Sequence, residues 1–292
     1  MPTFRNVITA STDLACSAIG RRNAVRAARF VLRRASLDVP NDMHGNGETS
    51  LQRWIAGLSP RGRKLHVLDI GANVGHWSAS MLAAARQAGR AEELDLHAFE
   101  PASWTFARLS ERLGGVPQVT LKHAGLSDRS GSSVLYLVGE GAGTNSLHRA
   151  IGPRTTSSTE EIVTTTIDEY AEQAALDDIA LIKIDTEGHD LTVLLGAQRL
   201  LAERKVSVVQ FEYNWRWVEA RSFLNDAFNL FEAAGYRLGK LTPRGVEFYP
   251  CWDPDLETFV EGNYVAALPV MAEKLPSVQW WKLSRSKVKV NR

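Results

Sequence analysis

Strand-length segments recur through the middle of the chain, and several of them end beside a side chain that carries chemistry. Val67-Leu68-Asp69-Ile70, Leu94–Phe99, Gln118–Ala124, Ile179–Ile184 and Val206–Tyr213 follow one another in this way. The more apolar among them, Val67–Ile70, Ile179–Ile184 and Val206–Tyr213, read as buried strands of a parallel sheet. Between them lie stretches with helical spacing: Trp77–Gln87, Ser103–Leu113, Asp168–Ala175, Asp190–Arg204 and Phe223–Ala234. Strand alternating with helix is the pattern of an α/β fold. Tyr236–Leu241, Val246–Tyr249 and Tyr264–Leu268 then follow without intervening helices. They predict late antiparallel strands closing the sheet, for about seven strands in all.

Where these runs end, the polar residues change the picture. Gly71-Ala72-Asn73-Val74-Gly75 follows the first strand, and Gly71 and Gly75 there predict a tight turn whose backbone can approach a ligand closely. Glu100 closes the second strand, where the ribose of a bound nucleotide would present its hydroxyls. Asp185-Thr186-Glu187-Gly188-His189-Asp190 follows Ile184 and is the densest cluster of ionisable groups in the chain. Ligands of open α/β sheets bind at the carboxyl edge of the strands. Glu212 and Asn214 close the next strand, so Asp185 and Glu212 face one crevice if the two strands are neighbours. Gly139–Glu161, rich in Gly, Ser and Thr, reads as a long loop, with Asn145, Ser146, His148 and Arg149 as candidates for substrate contact. Helix capping competes with chemistry as the role of Asp185 and Glu187.

Composition and charge bound the rest. The 292 residues are 44% hydrophobic and carry a net charge of +1, enough for one large core with appendages. No apolar run approaches the ~20 residues of a membrane span. Cys16 and Cys251 make neither a disulfide framework nor a metal cluster by spacing, and with no signal-peptide pattern a cytoplasmic location is expected. Residues 1–36 hold seven Arg and one Asp, and residues 280–292 hold three Lys and two Arg, leaving a balance of −10 between the two ends. A helix over residues 12–36 could cover the main domain, lie on a membrane surface or meet nucleic acid. Nucleic acid is not expected, because only Phe30 interrupts the arginines with an aromatic ring. The organisation expected is a basic helical extension over 1–60, a main domain over 61–270 and a basic tail over 271–292 headed by Trp280-Trp281.

Taken together, Val67 to Gly75, Phe99-Glu100-Pro101, Gly125-Leu126-Ser127-Asp128, Thr166-Ile167-Asp168, Ile182 to Gly188 and Gln210-Phe211-Glu212 resemble the FkbM family of S-adenosylmethionine-dependent methyltransferases. The resemblance spans roughly residues 64–268. It implies a class I methyltransferase fold, a Rossmann-like three-layer sandwich with a mostly parallel sheet, and transfer of a methyl group to a hydroxyl of a sugar, glycolipid or secondary metabolite. It implies that Asp69, Gly71, Asn73 and Gly75 hold the methionine end of S-adenosyl-L-methionine, that Glu100 grips the ribose, and that Ser127 and Asp128 lie by the adenine. Asp185, Glu187 and His189 would face the methyl group.

The acceptor alcohol must lose its proton, which leaves two routes. Asp185 or His189 could act as general base, or Mg²⁺ held by the hard oxygen donors of Asp185, Glu212 and Asn214 could lower the pKa of the hydroxyl; the donor types lean to the metal. A nicotinamide-dependent oxidoreductase on a similar sheet is the competing class, although His76 stands where a third glycine would be needed. A binding protein with a degenerate pocket is the other. The basic ends and the two tryptophans fit peripheral contact with an anionic membrane, at its inner face. The sequence leaves the acceptor and the oligomeric state open.

Overall fold

A computed structural model describes residues 4–40, 42–138, 145–149 and 157–278. Of the tail expected over 271–292, residues 271–278 are part of the main unit, with Met271, Ala272 and Leu275 buried in its core, and Trp280-Trp281 lie outside the described residues. The chain divides into two units, residues 1–39 and residues 40 onward. The first holds α1 (Phe4–Ile19) and α2 (Arg21–Ala35), two helices joined at Gly20 rather than the single one expected over 12–36. No residue of either helix is buried.

In the second unit, α3 (Glu48–Leu58) is followed by β1 (Leu65–Ile70), α4 (His76–Gln87), β2 (Leu94–Phe99), α5 (Ser103–Leu113) and β3 (Val119–Lys122). Then come β4 (Gly125–Leu126), β5 (Gly131–Leu137), β6 (Ser158–Thr165), α6 (Ile167–Gln173), β7 (Ile179–Ile184), α7 (Asp190–Leu195) and α8 (Gln198–Ala202). The chain continues through β8 (Val208–Tyr213), α9 (Trp217–Ala220), α10 (Leu224–Ala233), β9 (Arg237–Thr242), β10 (Gly245–Phe248), β11 (Gly262–Ala267) and α11 (Pro269–Lys274).

Eight strands form the main sheet in the order β10-β9-β11-β8-β7-β1-β2-β3. The five from β3 to β8 run parallel, and β11 is antiparallel to both β8 and β9. Without its edge strand β10 this is the seven-stranded class I methyltransferase order. The eighth strand exists because the Thr242–Gly245 turn folds β10 back on β9.

Alternation along the buried strands builds the layers. Leu68, Ile70, Ile182, Ile184 and Phe211 enter one core with Ile167, Leu194, Trp217 and Phe231, while Val67, Leu96, Leu181 and Val208 enter the other with Leu51, Ile55, Met81 and Leu109. Each fully buried aliphatic contributes about 1.5–3 kcal/mol. Because Leu51 and Ile55 belong to the second core, α3 packs with the main unit.

The stretch 190–204, which reads as one helix, is two. At the position of a Gly196 Cβ, the Ser127 carbonyl oxygen would be 2.1 Å away, and the Gly196 carbonyl accepts the Asp168 N–H at 2.9 Å. The helix stops where another segment crosses it. β4, β6 and β5 form a small second sheet, so part of the expected long loop is strand from Ser158 onward.

Candidate active site

The carboxyl ends of β1, β2 and β7 are laced together by backbone. Gly71 and Ala72 donate to the Phe99 carbonyl at 3.0 and 2.8 Å, and the Asp185 N–H donates to the Ile70 carbonyl at 3.0 Å. Gly71 has φ +76, and a Cβ there would sit 1.9 Å from the Asp185 carbonyl oxygen. Only glycine fits so close a crossing. Asn73 follows with φ 50, a left-handed conformation that asparagine tolerates better than most residues. Its N–H thereby reaches Glu100 Oε2 at 3.0 Å, while Ala102 N–H donates to Oε1 at 3.0 Å.

Glu100 thus holds its carboxylate in one orientation at the wall of an open pocket. Gly71 and Asn73 line one side, Gly125, Leu126 and Leu135 another, and Asp185 and Glu187 a third. Burial raises the Glu100 carboxyl to about 7, against the lowering effect of the Ala102 and Asn73 N–H groups.

Behind this turn is a buried brace. Asp69 is fully buried and accepts from Ser78 Oγ at 2.6 Å. Lys183 Nζ stands 3.3 Å from Asp69 Oδ1 and 3.4 Å from Asp185 Oδ2, and donates to the Gly71 carbonyl at 3.2 Å. Burial opposes the Lys183 charge, but Asp69, Asp185 and Glu48 outweigh it and hold the ammonium well above its usual range. Sequence reasoning gave Lys183 no role. A lysine inside a buried apolar strand was the available signal, since such a charge requires partners.

The Asp185–Asp190 segment wraps around its own last carboxylate. Asp190 accepts N–H bonds from Thr186 and Gly188 at 3.1 and 3.0 Å, and burial followed by the nearby Asp185 raises it to about 7. Glu187 has φ 56 and pairs with Arg216 Nε at 3.1 Å. Burial and Asp185 outweigh that one guanidinium and raise Glu187 to about 8. Arg216, which nothing in the sequence singled out, thus shapes the site.

The expected Mg²⁺ donors do not assemble as an open set. Asn214 donates to Glu212 Oε2 at 2.6 Å, and its own carbonyl oxygen accepts the Arg216 N–H at 2.8 Å. Among the described residues, the His, Cys, Asp and Glu side chains close enough to share an ion are instead His66, Asp95 and His97. Mg²⁺ chemistry therefore has no support in this donor set.

Other expected residues sit beside the pocket rather than in its lining. Gly75 packs against α5, where a Cβ would meet Leu109 Cδ1 at 2.7 Å. Ser127 donates to Asp128 at 3.1 Å and lies 3.0 Å from His189 Nε2. His189 Nδ1 in turn lies 3.1 Å from His148 Nε2. Buried in this chain of contacts and facing His148, His189 is lowered to about 4. Of the loop candidates, Asn145 and Ser146 line the pocket and Ser146 Oγ donates to the Glu187 carbonyl at 2.8 Å, while Arg149 is exposed.

The profile of the methyltransferase FkbM domain matches residues 69–238, more than half of the chain. No curated protein gives a significant match. Among solved structures, an FkbM methyltransferase from Methylobacillus flagellatus KT is similar at 16% identity and a TM-score of 0.45, over 70% of this chain and 43% of that one. Precorrin-6y C5,15-methyltransferase from Geobacter metallireducens GS-15 is similar at 13% identity and a TM-score of 0.39, over 75% and 87%. Magnesium protoporphyrin IX methyltransferase from Synechocystis PCC 6803, solved with bound S-adenosylmethionine, gives 12% and 0.38 over 75% and 76%. The chain spans less than half the length of the first of these neighbours.

Proposed function

The chain belongs to the FkbM family of methyltransferases, and from that premise we propose that it moves the methyl group of S-adenosylmethionine to a hydroxyl oxygen of a sugar, glycolipid or secondary metabolite. The observation that carries the reading is the Glu100 carboxylate, fixed by two backbone N–H groups at the pocket wall beside Gly71 and Asn73. Each of its oxygens keeps a lone pair for a ribose hydroxyl. Gly125, Leu126 and Leu135 offer an apolar wall suited to an adenine ring, a role first expected of Ser127 and Asp128.

The cofactor, when bound, supplies a methyl group already activated by its sulfonium. What this chain must add is alignment and proton removal. Asp185 is the base that fits: it lines the pocket, its side chain is 39% exposed, and Lys183 orients it from behind. His189 is held between Ser127 and His148 outside the lining, so it serves the site as a support.

The reading extends to where the acceptor is met. Arg21, Arg22, Arg26, Arg29, Arg33 and Arg34 are exposed on α2, and α1 exposes Phe4 and Leu14 at 82% and 73%. Exposed arginines beside exposed apolar side chains suit the surface of an anionic membrane, where a lipid-linked glycan would present its hydroxyls.

Calorimetry tests the cofactor assignment. S-adenosylmethionine and S-adenosylhomocysteine should both bind, NADH should not, and Glu100→Ala should abolish the sulfur-ligand signal. Failure of both sulfur ligands with the wild-type protein would overturn it.

A further inference from the structure

The start of β1 and the first four residues of β2 carry a cluster that methyl transfer does not use. In their parallel register His66 stands beside Asp95, and the two-residue period of a strand puts His97 on the same face as Asp95. Asp95 Oδ2 lies 2.8 Å from His66 Nδ1 and 3.2 Å from His97 Nε2.

The two contacts differ in kind. The first has hydrogen-bond geometry. His97 Nε2, on a buried residue, faces Asp95 Oδ2 without satisfying hydrogen-bond angles. Its other nitrogen, Nδ1, is 2.7 Å from the Tyr170 hydroxyl, and Tyr170 is itself packed edge-on against Phe99 with ring centroids 4.7 Å apart. In the tautomer whose Nδ1–H donates to the Tyr170 oxygen, His97 Nε2 directs a lone pair toward the carboxylate; in the other, the Tyr170 hydroxyl donates to Nδ1 and Nε2–H faces Asp95. In the first, the two facing acceptors repel unless a cation lies between them.

We propose that His66, Asp95 and His97 bind a divalent transition-metal ion, Zn²⁺ by donor chemistry, clipping the start of β1 to β2. The three donor atoms lie within 4.8 Å of one another, and donors set tetrahedrally at 2.0–2.1 Å around zinc stand about 3.3 Å apart. Two imidazoles and one carboxylate suit zinc better than magnesium or calcium, which take oxygen. Tyr170 fixes the remote nitrogen of a ligating histidine, the supporting contact such sites use. His66 and Asp95 side chains are 19% and 30% exposed, so an ion has a way in and a water can complete the shell.

The test is a zinc titration of the chelator-treated, tag-free protein, followed by calorimetry and by a chromophoric competitor. One equivalent of Zn²⁺ should bind with micromolar or better affinity and raise the melting temperature. His66→Ala and His97→Ala should weaken binding at least tenfold and lose the thermal shift, whereas His44→Ala, at an exposed position, should change neither. Circular dichroism without metal identifies any variant that fails to fold, and the partly exposed Asp95→Asn then supplies a further loss-of-ligand variant. Equal zinc uptake by wild type and the ligand variants would overturn the site. So would an absence of stoichiometric uptake by the wild type, which leaves only a carboxylate shared by two imidazoles.

Discussion

Lys183 Nζ lies 3.3 Å from Asp69 Oδ1 in an ion pair whose side chains are 6% and 0% exposed. The pair locks the strand that ends in Asp185 to the strand that ends in the glycine turn, so its integrity sets the pocket floor. Removing one partner of such a pair leaves a buried charge uncompensated, at about 3–5 kcal/mol. Lys183→Met should lower the unfolding free energy measured in urea by that amount, with a matching fall in the midpoint, and adding Asp69→Asn should recover a large part of it. A Lys183→Met midpoint equal to wild type would show that the brace contributes nothing.

Glu100 should make cofactor binding depend on pH. Burial raises its carboxyl to about 7, and the ionised form is the one with lone pairs for two ribose hydroxyls. Affinity for S-adenosylhomocysteine should therefore fall as the pH drops through 7, approaching about tenfold per unit below it. Glu100→Gln should bind weakly at every pH with a flat profile. Calorimetry across about pH 5.5 to 8.5 decides; a flat wild-type profile removes Glu100 from the binding face.

How much of this was legible depends on how local the signal is. The strand, turn and helix from Val67 to Gln87 follow from residues a few positions apart, and so do the buried runs at Ile179–Ile184 and Val208–Tyr213. The break at Gly196 was hidden because its cause is the carbonyl of Ser127, some seventy positions away. The pairing of β4 and β5 with β6 was hidden for the same reason. Within the site, Glu100 and Asp185 were readable from their places at strand ends. Arg216 was not, because its partner Glu187 is chosen by the fold, and the zinc-type cluster depends on the register between β1 and β2.

The proton-removal step separates Asp185 from His189. Asp185→Asn should cut turnover by a factor of about 10²–10⁴ while leaving S-adenosylhomocysteine affinity within a few-fold. His189→Gln should stay within about tenfold of wild type. Because the Asn214 and Glu212 donors are engaged with each other and with Arg216, treatment with a chelator should leave turnover unchanged at moderate temperature. Loss on chelation that only added Mg²⁺ restores would reverse the assignment.

His189 should nevertheless shape stability. The unfolded chain takes up a proton there near pH 6.5, but burial and His148 delay uptake in the folded protein to about 4. Between those values the unfolded state binds more protons, so stability rises with pH across the window and is lost as pH falls through it. His189→Gln, which removes the titration, should flatten the slope of unfolding free energy between about pH 4 and 6.5. An unchanged slope would place the acid sensitivity elsewhere.

The α2 arginines give the membrane proposal its sharpest form. Each basic side chain near an anionic surface is worth about 1 kcal/mol, so neutralising three should weaken vesicle binding by about 10² and reversing their charge by more. Wild-type protein should sediment with vesicles rich in phosphatidylserine at low salt and be released as salt shortens the Debye length. Phosphatidylcholine vesicles should not retain it. Arg26→Glu/Arg29→Glu/Arg33→Glu should stay in the supernatant while binding S-adenosylhomocysteine like wild type, because none of these positions lines the pocket. Retention of that triple variant on the anionic vesicles would show that α2 is not what meets the lipid.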